Sequence, residues 1–187
     1  FPTRRSSDLH SILQGHPDMK KVPGVDASTG SLGQGISIAV GMALGAKLLN
    51  KDTRVYTIVG DGESQEGQVW EAAMFADHYK LDNLCFIIDN NDLQIDGRVG
   101  EVSSPYPIDE KFRAFGFEVF CCDGHDFAAL EETFQKVLKV TGKPAAIIAK
   151  TVKGKGVSYM EDQVGWHGKA PNDAEYEQGM KELEEVR

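Results

Sequence analysis

The sequence is short of cysteine, of positive charge and of long apolar runs. Its three cysteines, Cys85, Cys121 and Cys122, are odd in number and fall in strand-like apolar stretches. They cannot close into a disulfide framework, and they read as buried, reduced thiols of a cytoplasmic protein. Acidic residues outnumber basic ones by 29 to 20, for a net charge of −9. That excludes nucleic acid as a general partner. It also means that any substrate phosphate needs a local basic site. No apolar run reaches the length of a membrane span. There is no Walker A string, and Gly33-Gln34-Gly35 fails as a dinucleotide fingerprint because Ile38 stands where the third glycine belongs. A Rossmann oxidoreductase is therefore disfavoured. Internal repeats and low-complexity tracts are absent too.

What is present suits one globular unit. A chain of 187 residues, 41% hydrophobic, is long enough for one good-sized core. Residues 1–9, FPTRRSSDL, are polar and basic and unlike the rest of the chain. They are no signal peptide, since no apolar stretch comes after the arginines. They resemble a translated sequencing adapter, so a non-native segment is expected there, with the natural N-terminal part of the domain missing. Residues 10–170 are expected to form the domain proper, and 171–187 a charged helix or tail.

The organising stretch is Gly60 to Asp96. An apolar run, Val55 to Val59, leads into Gly60-Asp61-Gly62, and a second, Leu84 to Ile88, leads into Asn90-Asn91. Between them a helix is expected over roughly Gly67 to Tyr79. Gly60 and Gly62 allow a tight turn and close approach of a ligand. Free N–H groups at the start of the next helix suit a phosphate. Asp61 and Asn91 supply hard oxygen donors of the kind Mg²⁺ takes alongside phosphate oxygens and water.

Elsewhere, Ile36 to Leu49 is apolar nearly all round and predicts a buried helix, with Gly41 and Gly45 leaving a smooth face for close packing. Ile108 to Phe115 predicts a short helix, and Phe117 to Cys122 a strand. Asp126 to Val140 predicts an amphipathic helix, and Ala145 to Ala149 a buried strand. Alternating strands and helices imply an α/β fold, a mostly parallel sheet flanked by helices on both faces. Its ligand edge is the carboxyl end of the strands. The basic, glycine-rich Lys150 to Gly156 is expected at that same edge.

The strings GDGESQEGQVWEAAMFADHYKLDNL and DNNDLQIDG resemble the N-terminal half of a transketolase, in the form split over two chains, from about Ser11 to Ala170. The resemblance implies the thiamin diphosphate-binding fold and a two-carbon ketol transfer from a ketose phosphate to an aldose phosphate. It implies thiamin diphosphate and Mg²⁺, or Ca²⁺ or Mn²⁺ in its place. Asp61, Asn91 and the Leu93 carbonyl would hold the metal. Gly60, Asp61, Gly62, Asn91 and His167 would serve the diphosphate, with Gly30, Leu32 and Ile95 against the cofactor rings. His16 would sit beside the first hydroxyls of the donor sugar, and His167 would also reach the substrate. Glu66 would link two active sites across a subunit interface. His78 is expected in packing, and His10 and His125 carry no role.

The same resemblance implies what this chain lacks. The glutamate that protonates the cofactor's pyrimidine belongs to a C-terminal partner subunit, in a dimer of heterodimers. An upstream Ser-Lys-Gly-His segment would precede Ser11. The chain alone is expected to bind cofactor weakly and to be inactive. Alternatives are a deoxyxylulose-phosphate synthase, a dihydroxyacetone synthase, or a non-catalytic regulatory or interaction subunit. The His16 loop favours transketolase, since a hydroxylated donor needs a polar partner there.

Overall fold

A computed structural model describes residues 15–185. The sequence expectations for residues 1–9, for His10 and for the chain before Gly15 lie outside them.

Among the described residues, four parallel strands form the main sheet: β1 (Val55–Gly60), β2 (Leu84–Asn90), β5 (Glu118–Asp123) and β6 (Ala145–Lys150). Their spatial order is β1-β2-β6-β5. In register, Gly60 stands opposite Asp89, Asn90 opposite Lys150, and Asp123 opposite Lys150. The carboxyl ends of all four strands therefore reach one edge. The helices are α1 (Gln34–Leu48), α2 (Gly67–His78), α3 (Val99–Val102), α4 (Ile108–Ala114), α5 (Phe127–Val137) and α6 (Asp173–Glu185). The expected elements are present within a residue or two at each end, except that α5 stops at Val137, three residues before the expected Val140. A two-residue hairpin, β3 (Leu93–Gln94) with β4 (Gly97–Arg98), and the short α3 occupy what reads in sequence as plain loop.

The crossovers set the layers. The chain steps outward from β1 through α2 to β2, and through α4 to β5; it then steps back through α5 to β6. Right-handed connections in opposite directions place helices on opposite faces. One face buries α1, α2 and α4, where Ile36, Val69, Ala73, Phe86, Ile108, Phe112 and Phe117 share a cluster. The other buries α5, where Val137 meets Cys85, Ala145 and Ile147. Each large side chain buried this fully contributes about 1.5–3 kcal/mol. Asp126 starts α5 by accepting the Ala128 and Ala129 N–H groups at 2.9 and 3.2 Å, as an N-cap aspartate does.

Two expectations about burial fail. Helix α1 is not buried all round. Ile36, Ala39, Val40, Ala43 and Ala46 face the core, while Ile38, Met42 and Leu48 are exposed, and nothing lies within 4 Å of where a Cβ at Gly41 or Gly45 would stand. An apolar pattern reports that a side chain can be buried, not that a neighbour covers it. Likewise only Cys85 is buried; Cys121 is exposed and Cys122 half-buried, because β5 is an edge strand. Burial pushes the Cys85 thiol up to about 12, against a smaller pull downward from the Arg54 charge. Among the described residues, no helix is long and apolar enough to cross a membrane.

Candidate functional site

The site begins where β1 ends. The Asp61 N–H continues the ladder by donating to the Asp89 carbonyl at 3.1 Å. Its carboxylate is buried, 1% exposed. Oδ1 accepts the Gly62 N–H at 2.8 Å. Oδ2 accepts the Asp92 N–H at 2.5 Å and the Tyr106 hydroxyl at 3.2 Å. Because the Asp92 N–H belongs to the Asn91–Asp92 peptide, this bond ties the Gly-Asp-Gly turn directly to the loop after β2. Burial raises the Asp61 pKa above the ordinary carboxylate value, and the neighbouring Asp89 charge adds to that. The bonds from Asp92, Gly62 and Tyr106 pull it part of the way back. All three donors are neutral, so they solvate the charge without cancelling it.

The loop after β2 is built differently. Asn91 is half-buried. Its Nδ2 donates to Asp89 Oδ2 at 2.9 Å, and its Oδ1 accepts the Leu93 N–H at 3.0 Å. Asp92 turns the chain in the left-handed region, at φ 61°, where aspartate is among the better-tolerated residues. Leu93 is buried beneath the turn. Tyr106 closes over both loops, with its hydroxyl 3.2 Å from Asp61 Oδ2, 3.0 Å from Asn90 Oδ1 and 3.3 Å from Asp92 Oδ1. One hydroxyl carries one proton, so it serves these acceptors only in turn. Burial raises the Tyr106 pKa, and the Asp61 and Asp92 charges add to it.

A third loop, Ser28 to Gly33, approaches the end of β1 from the other side. Glu63 clamps it there: Oε1 accepts the Gly33 N–H at 2.9 Å, and Oε2 accepts the Gly60 N–H at 3.2 Å. Gly33 is the N-cap of α1 at φ 74°, and a Cβ on it would lie 2.8 Å from Glu66 Cβ. Glycine is required there on both counts. The His16 ring packs on Gly30, where a Cβ would come within 2.7 Å of it. Exposed His16, with Gly30, Ser31 and Gln34, lines a cleft of about 470 Å³. A smaller cavity, about 150 Å³, runs on from Gly30 and Leu32 to Thr57, Ile58 and Glu63. So His16, Gly30 and Leu32 come together along one trough that ends at Glu63, which holds the Gly60 N–H. Leu32 and Ile95 are both exposed. Glu66 is exposed at the N-cap of α2.

His167 ends a short 3-10 turn, Val164–His167, that packs beside β3. Arg98 bridges Asp92 at 3.3 Å and Asp162 at 2.5 Å, and so ties the Asn91 loop to the segment leading to that turn. A second cavity, about 740 Å³, opens beyond Asn90 and is lined by Lys150, Thr151, Lys155, His125 and Cys121. The basic stretch after β6 does reach the ligand edge, although it faces this cavity.

Between Gly-Asp-Gly and α2, which starts at Gly67 as expected, the N–H groups of Ser64, Gln65 and Glu66 are taken by the carbonyls of Asp61, Gly62 and Glu63 within a 3-10 turn. One expected detail comes out otherwise. Gly62 has ordinary right-handed dihedrals, φ −62° and ψ −37°. Its missing side chain makes room for Gln94, whose Cβ would lie 3.0 Å from a Cβ there. Sequence reasoning also missed Tyr106, Glu63, Asp89 and Thr151. Three bear oxygen within a few residues of the motif or at a strand tip, which is a usable signal. Tyr106 sits in a proline-flanked stretch and gives none.

The donor set suits a hard divalent cation. Among the described residues, no three His, Cys, Asp or Glu side chains are grouped to hold a metal by themselves. A cation here would need the Asn91 amide and the Leu93 carbonyl beside Asp61. Asp61 Oδ1 and Asn91 Oδ1 each accept one bond here, which leaves each a lone pair. A buried, neutrally solvated carboxylate gains most from such a charge.

Comparison with known proteins gives one consistent answer. A family model described as the transketolase thiamine diphosphate binding domain matches residues 3–184. The chain is 43% identical over 185 residues to an apulose-4-phosphate transketolase subunit of Actinobacillus succinogenes, covering 99% of this chain and 66% of that protein. It is 42% identical over 174 residues to a 6-deoxy-6-sulfo-D-fructose transketolase subunit of Clostridium sp., covering 93% of this chain and 63% of that one. It thus spans about two thirds or less of these relatives. The crystal structure of Campylobacter jejuni transketolase superposes with a TM-score of 0.85 at 35% identity, over 94% of this chain and 28% of that one.

Proposed function

The chain belongs to the transketolase thiamine diphosphate-binding family, and from that membership we propose that it is the diphosphate-binding subunit of a two-subunit transketolase. It would move a two-carbon ketol unit from a ketose phosphate to an aldose phosphate. The observation that carries the reading is the Asp61 carboxylate accepting the N–H of the Asn91–Asp92 peptide. It joins the tips of two neighbouring strands, and in this reading one cation touches both loops there.

In this reading Asp61, the Asn91 amide oxygen and the Leu93 carbonyl hold Mg²⁺, which anchors the cofactor's diphosphate beside Gly60, Gly62 and His167. When bound, thiamin diphosphate supplies the carbon nucleophile and electron sink for breaking and remaking a carbon–carbon bond beside a carbonyl. This chain's residues bind and orient. Gly30, Leu32 and Ile95 present backbone and apolar contact to the rings; the exposure of Leu32 and Ile95 is what such contact requires. His16, fixed on Gly30 at the mouth of the trough, orients the donor's hydroxyls and exchanges protons with them. Exposed Glu66 faces a second active site across the subunit interface. Relatives that are themselves named as transketolase subunits support a C-terminal partner that supplies the pyrimidine side. Their names, with apulose 4-phosphate and a sulfofructose, support a ketose donor bearing an anionic group.

The test is calorimetric titration of thiamin diphosphate with Mg²⁺ into the chain reconstituted with its partner, beside Asp61→Ala. Binding by the wild type and at least about 100-fold weaker binding by the variant is expected, since a metal ligand is lost. No heat from the wild type, or equal heat from both, overturns the assignment. Steady-state turnover of xylulose 5-phosphate against pyruvate separates ketol transfer from deoxyxylulose-phosphate synthesis. Turnover by the chain alone refutes the two-subunit part.

A further inference from the structure

Resting on the cation-site reading, we infer that Asp89 and Thr151 are positioning residues for Asn91. They fix its side-chain amide so that the oxygen, not the nitrogen, is turned to the cation. An amide end is nearly symmetric in shape, but only its oxygen ligates a hard metal ion. Something must therefore choose the orientation. Asn91 Nδ2 donates to Asp89 Oδ2 at 2.9 Å. An ionised carboxylate accepts and never donates. A reversed amide would set Asn91 Oδ1 against Asp89 Oδ2, oxygen against oxygen. It would also turn Nδ2 toward the Leu93 N–H, donor against donor, where Oδ1 now accepts at 3.0 Å. Both ends of the amide thus reject the reversed state.

Asp89 is itself held. Its other oxygen, Oδ1, accepts the Thr151 hydroxyl. Thr151 comes from the end of β6, where its N–H donates to the Asn90 carbonyl at 3.2 Å. The next N–H, of Val152, donates to His125 Nε2 at 2.7 Å. So a relay runs from the β5–β6 corner to the amide at the tip of β2. Partners one step behind a metal ligand typically carry about 10–100-fold of metal affinity.

The experiment uses the full chain with thiamin diphosphate and Mn²⁺, with free Mn²⁺ read by electron paramagnetic resonance, which registers weak binding too. Asp89→Ala is expected to weaken Mn²⁺ binding about 10–100-fold. Thr151→Val weakens it in the same direction by less, and Thr151→Ser restores it. Asn91→Asp discriminates, because a carboxylate has oxygen at both ends and needs no orienting. In that background Thr151→Val leaves Mn²⁺ affinity unchanged. Equal loss in both backgrounds, or no loss in the wild type, overturns the inference. A second reading needs no metal: the Asn91 side-chain NH₂ resonances of the unliganded chain shift and exchange faster in Asp89→Ala and Thr151→Val. Unmoved resonances overturn the inference even where Asn91→Asp binds no Mn²⁺. A wild type that binds no Mn²⁺ while its Asn91 resonances respond as stated brings down the cation site and leaves the amide orientation standing.

Discussion

Asp61 and Asn91 stand at the tips of adjacent strands, yet they are held by opposite means. Asp61 is sealed under the Asn91 loop and Tyr106 and bonded by backbone N–H groups that only a proline substitution would remove. Asn91 is half open to water and held at one end by a side chain, Asp89, and at the other by the Leu93 N–H. One ligand is fixed by burial and main chain, the other by a polar relay. The first is costly to keep charged and hard to displace. The second is cheap to build and sensitive to residues far along the sequence.

The largest expected test of that contrast concerns charge. The Asp61 pKa is raised in the fold, chiefly by burial. A carboxyl whose folded pKa lies above its unfolded value binds its proton more tightly when folded. Its contribution to stability is full below the ordinary value of 3.8 and is lost as pH rises through the raised one. In metal-free protein, the melting-temperature advantage of wild type over Asp61→Asn should shrink across that window. A gap that stays flat would mean that Asp61 is not desolvated as described. Bound Mg²⁺ should cancel the loss, since the cation needs the ionised form.

A smaller effect is expected at the residue that spans both loops. Tyr106→Phe removes one hydroxyl shared among Asp61, Asn90 and Asp92. A loss of about 0.5–1.5 kcal/mol in denaturant unfolding is expected, with the m-value unchanged. A loss several times larger would make Tyr106, rather than the Asp92 N–H, the main clasp between the loops. Smallest of all, Arg98→Ala should leave the melt close to wild type, because both of its ion pairs are exposed and screened. A clear drop in stability that persists in 1 M salt would show that the Asn91 loop depends on that arginine.

The same division explains what could be read from residues alone. The Asp61 turn was legible because an apolar run, two glycines and an acid sit side by side, and β1, β2, α2, α4, α5 and β6 follow from their spacing. The partners of Asn91 were not. Thr151 and Asp89 are 62 positions apart in sequence, and nothing local says that they meet. The hairpin of β3 and β4 has two residues in each strand, too few for a period to show. Glu63 reads as a turn residue until the Ser28 to Gly33 loop folds over it. The exposed side of α1 was misread because composition measures appetite for burial and is blind to whether a neighbour is there. Cys121 failed for the same reason, on a strand with one neighbour.

The sheet's second face, which among the described residues is covered by α5, has a practical corollary. On β1, Ile58 is 72% exposed and Tyr56 touches only the rim of that cover, edge-on to Phe134. With the bare flank of α1, this makes an oily, adhesive exterior. A preparation of this polypeptide by itself should be prone to clumping, and co-expression or mild surfactant should matter more to its yield than any change in buffer.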